Sequence, residues 1–211
     1  MSERRPDGRA EWSAWLVREW TARLAQVVES MTEARPGVEW QAVPPGSELR
    51  LQSAAVAARH GAMLWWEQSF SAAQEARFWV GAPETAWSAM GARILGAAGI
   101  EQAEAAETRS TWLELLSQSL ESLANSVGAH LQREVVCLAR AERPAPPQAE
   151  EFFTIELEIA GTKLPPLLAA VSDAFAGAMW AGAPPAADPA APPAGAAPPL
   201  GEPAPDNRML D

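Results

Sequence analysis

The sequence predicts an α+β domain over residues 9–180, with helices packed on a mainly antiparallel sheet. Three observations lead there. Two long segments, about 9–33 and 109–132, carry apolar residues at the three-and-four spacing of a helical stripe. Bulky strand-like runs come in neighbouring pairs joined by short polar links, as hairpins do. Helix-like and strand-like segments are mixed along the chain rather than strictly alternating, which favours α+β over a parallel sheet.

The first helix, about 9–33, repeats Trp12, Trp15, Leu16, Trp20, Leu24, Val27, Val28 and Met31 on one side, with Arg18, Arg23 and Glu29 between them. Arg35-Pro36-Gly37 is expected to stop it, because proline cannot continue a helix and glycine suits the exit turn. A strand over Val38–Val43 follows. Residues 47–60 stay open between strand and Ala-rich helix. Strands are predicted at 62–70 and 76–81, joined by a five-residue link, and Pro83-Glu84 opens a helix that ends at Gly96 or Gly99. Glu101, Glu104 and Glu107 read as the solvated approach to the long helix at about 109–132, whose stripe is Trp112, Leu116, Leu120, Leu123, Val127 and Leu131. Strands follow at 134–141 and 152–160, the second alternating cleanly through Phe153, Ile155, Leu157 and Ile159. Residues 143–148 form a Pro-rich loop, Gly161-Thr162-Lys163 turns the chain, and a last helix is expected over 164–179.

Residues 1–8 are read as a disordered N-terminus. Composition shifts at Ala181: nine prolines lie among the alanines and glycines of 183–206, too little apolar surface to fold. The segment reads as a disordered Pro/Ala linker that spans about 70 Å if extended at about 3.1 Å per residue. Its closing residues 207–211 (NRMLD) either dock on a partner or open a second domain.

The charge balance excludes several function classes. Sixteen basic against 27 acidic residues give a formal net charge of −11, and all the basic residues but Lys163 are arginines. Such a chain repels nucleic-acid phosphates and anionic membrane surfaces, so neither is an expected partner. No targeting signal and no apolar run long enough to cross a membrane is present, and the chain reads as cytoplasmic. The single cysteine, Cys137, fits a reducing compartment; in an apolar strand it reads as a buried, inert thiol.

Local motifs for catalysis are absent. Gly161-Thr162-Lys163 lacks the upstream glycine of a phosphate loop, and no Gly-x-Ser-x-Gly elbow occurs. His60 and His130 stand apart from any Cys or Asp, so no metal site and no cofactor is expected. Asp173 is the only aspartate between Asp7 and Asp188, against the carboxylate clusters of Mg-dependent phosphoryl transfer. Trp12, Trp15 and Trp20 admit two readings, a core stripe or the anchors of a partner-binding face.

Residues 76–135 carry a further pattern: a strand and helix (ARFWVGAPETAWSAMGARILG), an acidic loop (IEQAEAAETRS), then a long helix (TWLELLSQSLESLANSVGAHL). This succession, closed by FFTIELEIAGTKLPPLLAAVSDAF, resembles the CheC/CheX/FliY family of chemotaxis phosphatases and flagellar motor switch proteins. The ending NRMLD after a Pro/Ala linker is similar to the opening of the C-terminal domain in FliN/FliY-type switch proteins, which would make the chain the N-terminal part of one.

The resemblance implies a CheC-like fold and a site on the long helix. In the family's phosphatases a Glu-x-x-Asn pair acts there: the amide orients a water against a phospho-aspartate and the carboxylate fixes a partner lysine. Aligning on Asn125 puts Ser122 in place of the glutamate, with Gln118 one turn earlier; the three share a face opposite the apolar stripe. Glu121 stands four residues before Asn125 rather than three. With Asn207 the only other asparagine, no second Asn-based site is possible. The first expectation is therefore a non-enzymatic interaction module of the flagellar motor switch or a chemotaxis complex, at the cytoplasmic face of the basal body. Its expected partners are switch or chemotaxis proteins, a phosphorylated response regulator or further copies of itself. Partner-binding candidates are Gln118, Ser122, Asn125, Trp12, Trp15 and Trp20. The alternatives are a phosphatase of an aspartyl-phosphate regulator using Glu121 and Asn125, and an unrelated adaptor with a tethering tail.

Overall fold

The computed structural model describes residues 8–43, 49–144 and 151–182. Residues 1–7 of the expected disordered start, 145–148 of the expected Pro-rich loop, 183–206 of the expected linker, and the closing residues 207–211 lie outside the described residues.

Helix α1 runs Arg9–Thr32, and Trp12, Leu16, Trp20, Leu24 and Val28 are all buried along it. Its end agrees with the expected 9–33, but the residue that makes the exit turn differs. Glu33, not glycine, takes the left-handed turn at φ 57°, its N–H donating to the Glu29 carbonyl, while Gly37 already starts a strand. Strand β1 (Gly37–Ala42) leads to α2 (Leu49–His60), so the open segment is a helix. Strands β2 (Met63–Phe70) and β3 (Arg77–Pro83) form the expected hairpin, and Pro83 serves as N-cap of α3 (Glu84–Ala97).

The long helix α4 spans Ala105–Leu131 and begins about a turn before the expected start at 109. Its start is a capping box between Glu104 and Glu107, two of the glutamates read as a solvated approach: each side chain binds the other residue's backbone N–H. Gln132 closes it in the left-handed region, and the chain then runs along the helix end before β4 (Cys137–Arg143), later than the predicted 134–141. Strand β5 (Glu151–Ile159) and the two-residue β6 (Thr162–Lys163) form a tight hairpin through Ala160 and Gly161, both at positive φ.

The predicted last helix over 164–179 is corrected. Leu167–Val171 is a strand, β7, and only Asp173–Gly182 is helical, as α5. All five β7 residues are buried because the strand sits inside the sheet between β5 and β3, where an unbroken apolar run is what both faces require. Ser172 ends it by accepting the Phe175 N–H at the start of α5, which reaches Gly182, so no linker begins at 181.

The sheet order is β1-β5-β7-β3-β2-β4, every pair antiparallel, with β6 beside β5. Exchanging β1 with β4, β5 with β2 and β7 with β3 returns the same order read backwards. The helices obey the same exchange: α1 packs on α4 at the centre, α3 packs on α4, and α5 packs on α1. The domain thus consists of two halves related by a pseudo-two-fold axis between β3 and β7. One sheet face, through Phe78, Val80, Phe153, Ile155 and Ala169, meets the helices in the main core. The other carries a smaller cluster of Trp65, Trp79, Phe152, Leu168 and Ala170.

Candidate functional site

The two central helices share one pattern at a fixed offset. Glu33 and Gln132, their left-handed caps, are 99 positions apart (132 − 33). The same offset separates the indole of Trp20 and its buried hydrogen-bond acceptor, the Ser119 hydroxyl, at 3.1 Å. Buried positions coincide at this spacing as well: Leu16 with Leu115, Val17 with Leu116, Leu24 with Leu123, Val28 with Val127. The sequence candidates Gln118, Ser122 and Asn125 therefore have counterparts on α1: Glu19, Arg23 and Gln26 (118 − 19, 122 − 23 and 125 − 26 each give 99).

The structure joins these faces into one polar surface across the helix pair. Arg23 is its bridge, donating from Nε to Ser126 Oγ of α4 at 3.0 Å, from Nη1 to Gln26 Oε1 at 3.0 Å and from Nη2 to Glu19 Oε2 at 3.3 Å. On α4, Gln118 donates to Glu114 Oε1 at 2.8 Å, and the Ser122 hydroxyl donates to the Gln118 carbonyl at 2.9 Å. Ser122 is thus spent on its own backbone, a common habit of serine inside helices. Glu121 and Asn125 stand exposed on successive turns, and their side chains make no hydrogen bond or ion pair to another described residue.

Glu121 also faces β4. Burial chiefly, then the Glu121 charge, pushes the Cys137 thiol up to about 12 against the opposing pull of Arg140. The thiol stays protonated at neutral pH and is no nucleophile. Arg140 donates to Ser117 Oγ at 2.7 Å with its guanidinium 6.0 Å from the Trp66 ring centre, so it locks β4 onto α4.

The tryptophans divide. Trp12 and Trp20 are 1% and 0% exposed, which makes them core residues that no partner can reach in this fold. Trp15 is half-buried, and its ring lies 5.6 Å from Trp12 and 5.3 Å from the His130 ring. Among the described residues no three His, Cys, Asp or Glu side chains converge as metal ligands, and no helix is long and apolar enough to cross a membrane.

Chemically, an exposed carboxylate and an exposed amide one turn apart can hold a water or a partner's ammonium group. Glu19, Arg23 and Gln26 escaped the reading of the sequence because polar residues do not repeat between the helices. The 99-residue offset between the apolar positions of the two helices was the signal that could have found them.

No protein-family model matches the sequence, and no curated protein sequence matches it. Solved structures do. FliY from Thermotoga maritima superposes with a TM-score of 0.58 at 11% identity, over 82% of this chain and 95% of that one. The FliM middle domain from H. pylori gives 0.54 at 11%, over 83% and 99%. The chemotaxis protein CheX from Desulfovibrio desulfuricans gives 0.50 at 7%, over 75% and 99%. With its two exchangeable halves, seven-stranded antiparallel sheet and central helix pair, the chain has the CheC-like α+β fold shared by FliY, CheX and the FliM middle domain.

Proposed function

We propose that the chain is an interaction module of the flagellar motor switch or a chemotaxis complex, working by protein–protein assembly rather than by catalysis. Fold alone is a weak warrant for function. The observation that carries the reading is the state of the two equivalent helix faces. Where a carboxylate–amide pair would be needed, α4 offers Ser122, bound to its own backbone, and α1 offers Arg23, bound by Glu19, Gln26 and Ser126. A water held for attack on a phosphoryl group needs acceptors aimed at it, whereas Ser122 is turned to its own backbone and Arg23 takes up the side chains of Glu19, Gln26 and Ser126.

One observation favours a second reading. Glu121 and Asn125 are exposed on neighbouring turns and uncommitted among the described residues, so a weak phosphatase site at that pair is the competing proposal.

Mixing the purified chain with a phosphorylated chemotaxis response regulator, while following complex formation and phosphate release, separates the two. The assembly reading expects no acceleration of release, with or without Asn125→Ala. Accelerated release abolished by Asn125→Ala would establish the phosphatase instead. Absence of both binding and release would remove the regulator as partner and leave other switch subunits, tested by co-sedimentation.

A further inference from the structure

The two edges of the sheet are built differently. At the β4 edge the register shifts between Gln68 and Phe70, and the Gln68 amide donates to the Leu138 and Ala139 carbonyls at 3.3 and 3.4 Å inside the irregularity. A bulge of this kind bends an edge away from further pairing. Strand β1 has no such protection. It pairs with β5 in unbroken register from Gly37–Glu158 to Ala42–Phe153, and among the described residues no strand lies on its outer side.

The orientation of that free edge follows from one bond. Val43 N–H donates to the Phe152 carbonyl at 2.9 Å in the same register, so Gln41, Glu39 and Gly37 turn their backbone groups toward β5. By the alternation of antiparallel ladders, the N–H and C=O of Val38, Trp40 and Ala42 point outward.

The side chains beside the edge are acidic. Glu39 and Glu156 are directly opposite each other across β1 and β5, and Glu158 follows two residues on, all three exposed on the face away from the helices. Like charges in facing positions destabilise a sheet, and Lys163, 3.6 Å from Glu156, is a single counter-charge. Arg35 on the rim is engaged by Glu29 at 3.1 Å. Two grooves of about 570 and 280 Å³ run along this face and share Glu39 and Glu156 as their common wall.

We propose that the outer edge of β1 is a docking site for an extended segment of a partner protein with basic residues at every second position. Its backbone adds a strand against Val38, Trp40 and Ala42, and its alternate side chains reach Glu39 and Glu156. Charge complementarity fixes the occupant: an acidic or apolar strand would leave the facing carboxylates uncompensated. The site lies on the opposite sheet face from the α1–α4 surface and is independent of the function proposed above.

The test uses the full chain and three labelled peptides: one alternating lysine with threonine, one alternating glutamate with threonine, and the lysine peptide N-methylated at every second residue. The lysine peptide should bind saturably, more weakly at high salt, and should raise hydrogen-exchange protection of the Trp40 and Ala42 amides. The glutamate and N-methylated peptides should fail. Glu39→Gln with Glu156→Gln should weaken binding about tenfold while thermal stability holds or rises, which separates lost docking from lost folding. Equal binding of all three peptides, no binding of the lysine peptide, or protection elsewhere would overturn the proposal. Protection of the same amides on self-association without peptide would also overturn it, assigning the edge to a second copy.

Discussion

The indole N–H of Trp20 donates to the hydroxyl of Ser119 at 3.1 Å, in the middle of the buried contact between α1 and α4, and the two residues are each other's counterparts in the two halves of the fold. The serine hydroxyl in turn donates to the Leu116 carbonyl at 2.9 Å. A large ring in one half thus faces a small polar residue in the other. This lets the helices approach closely and breaks the internal symmetry at the place where two tryptophans would collide.

Ser119→Ala should therefore cost about 1–3 kcal/mol, the penalty of leaving a buried donor without its acceptor. Trp20→Phe in the Ser119→Ala background should be less harmful than the sum of the single changes, since it removes that orphaned N–H. Urea unfolding of the four proteins measures the coupling. Additive losses would mean that the hydrogen bond contributes nothing.

The crossing of α3 and α4 rests on Gly91. A Cβ there would lie 2.1 Å from the carbonyl oxygen of Thr108, which is backbone and cannot swing aside. Gly91→Ala should destabilise the domain by about 3 kcal/mol or more, at the upper end of overpacking effects. Gly96→Ala, with nothing within 4 Å, should be neutral or stabilising by up to about 0.8 kcal/mol. Midpoints of thermal denaturation for the pair give the comparison; equal shifts would refute the close crossing.

At the β5–β6 hairpin Ala160 occupies φ 48° and Gly161 φ 76°, the turn geometry that favours asparagine before glycine. Ala160→Asn should raise stability by about 0.5 kcal/mol, and Ala160→Val should lower it, because a β-branched residue fits the left-handed region poorly. Urea midpoints for both variants give the order, and the reverse order would exclude this turn.

Glu67 predicts a pH dependence. Arg143 donates to both its oxygens, at 2.7 and 3.1 Å, and Trp79 Nε1 donates at 2.9 Å. The Arg143 hydrogen bonds chiefly hold the Glu67 carboxyl below the usual carboxylate range; burial opposes them, while Trp79 and the charges of Arg143 and Arg77 assist. A carboxyl depressed in the folded state stabilises the fold above its unfolded pKa, and that contribution is lost as pH falls through the lower folded value. The stability gap between wild type and Glu67→Gln should hold constant from neutral pH to about 5 and close below about 4. A gap that widens on acidification would contradict the assignment.

Much of this architecture is written in the order of the residues. The stripes of α1 and α4, the β2–β3 pair and the alternating β5 are periodicities, and a periodicity is a local consequence of one face meeting a core. The boundaries that shifted depend on partners distant in sequence. Leu167–Val171 reads equally well as helix until β3 and β5 flank it and demand an extended strand buried on both faces. The end of α1 did not shift, but its left-handed exit falls on Glu33 rather than on the glycine four residues later, because the chain must already turn into β1 there. The candidate site divides in the same way. The sequence located Gln118, Glu121, Ser122 and Asn125 on one helix, since helical spacing alone sets their relation. Only the packing of α1 against α4 brought Arg23 to Ser126 and made Glu19 and Gln26 part of the same surface, because contacts between helices about a hundred residues apart are set by the shared core beneath them. That packing also placed Trp12 and Trp20 inside, where a helical stripe is equally satisfied by a core or by a partner and burial decides between them.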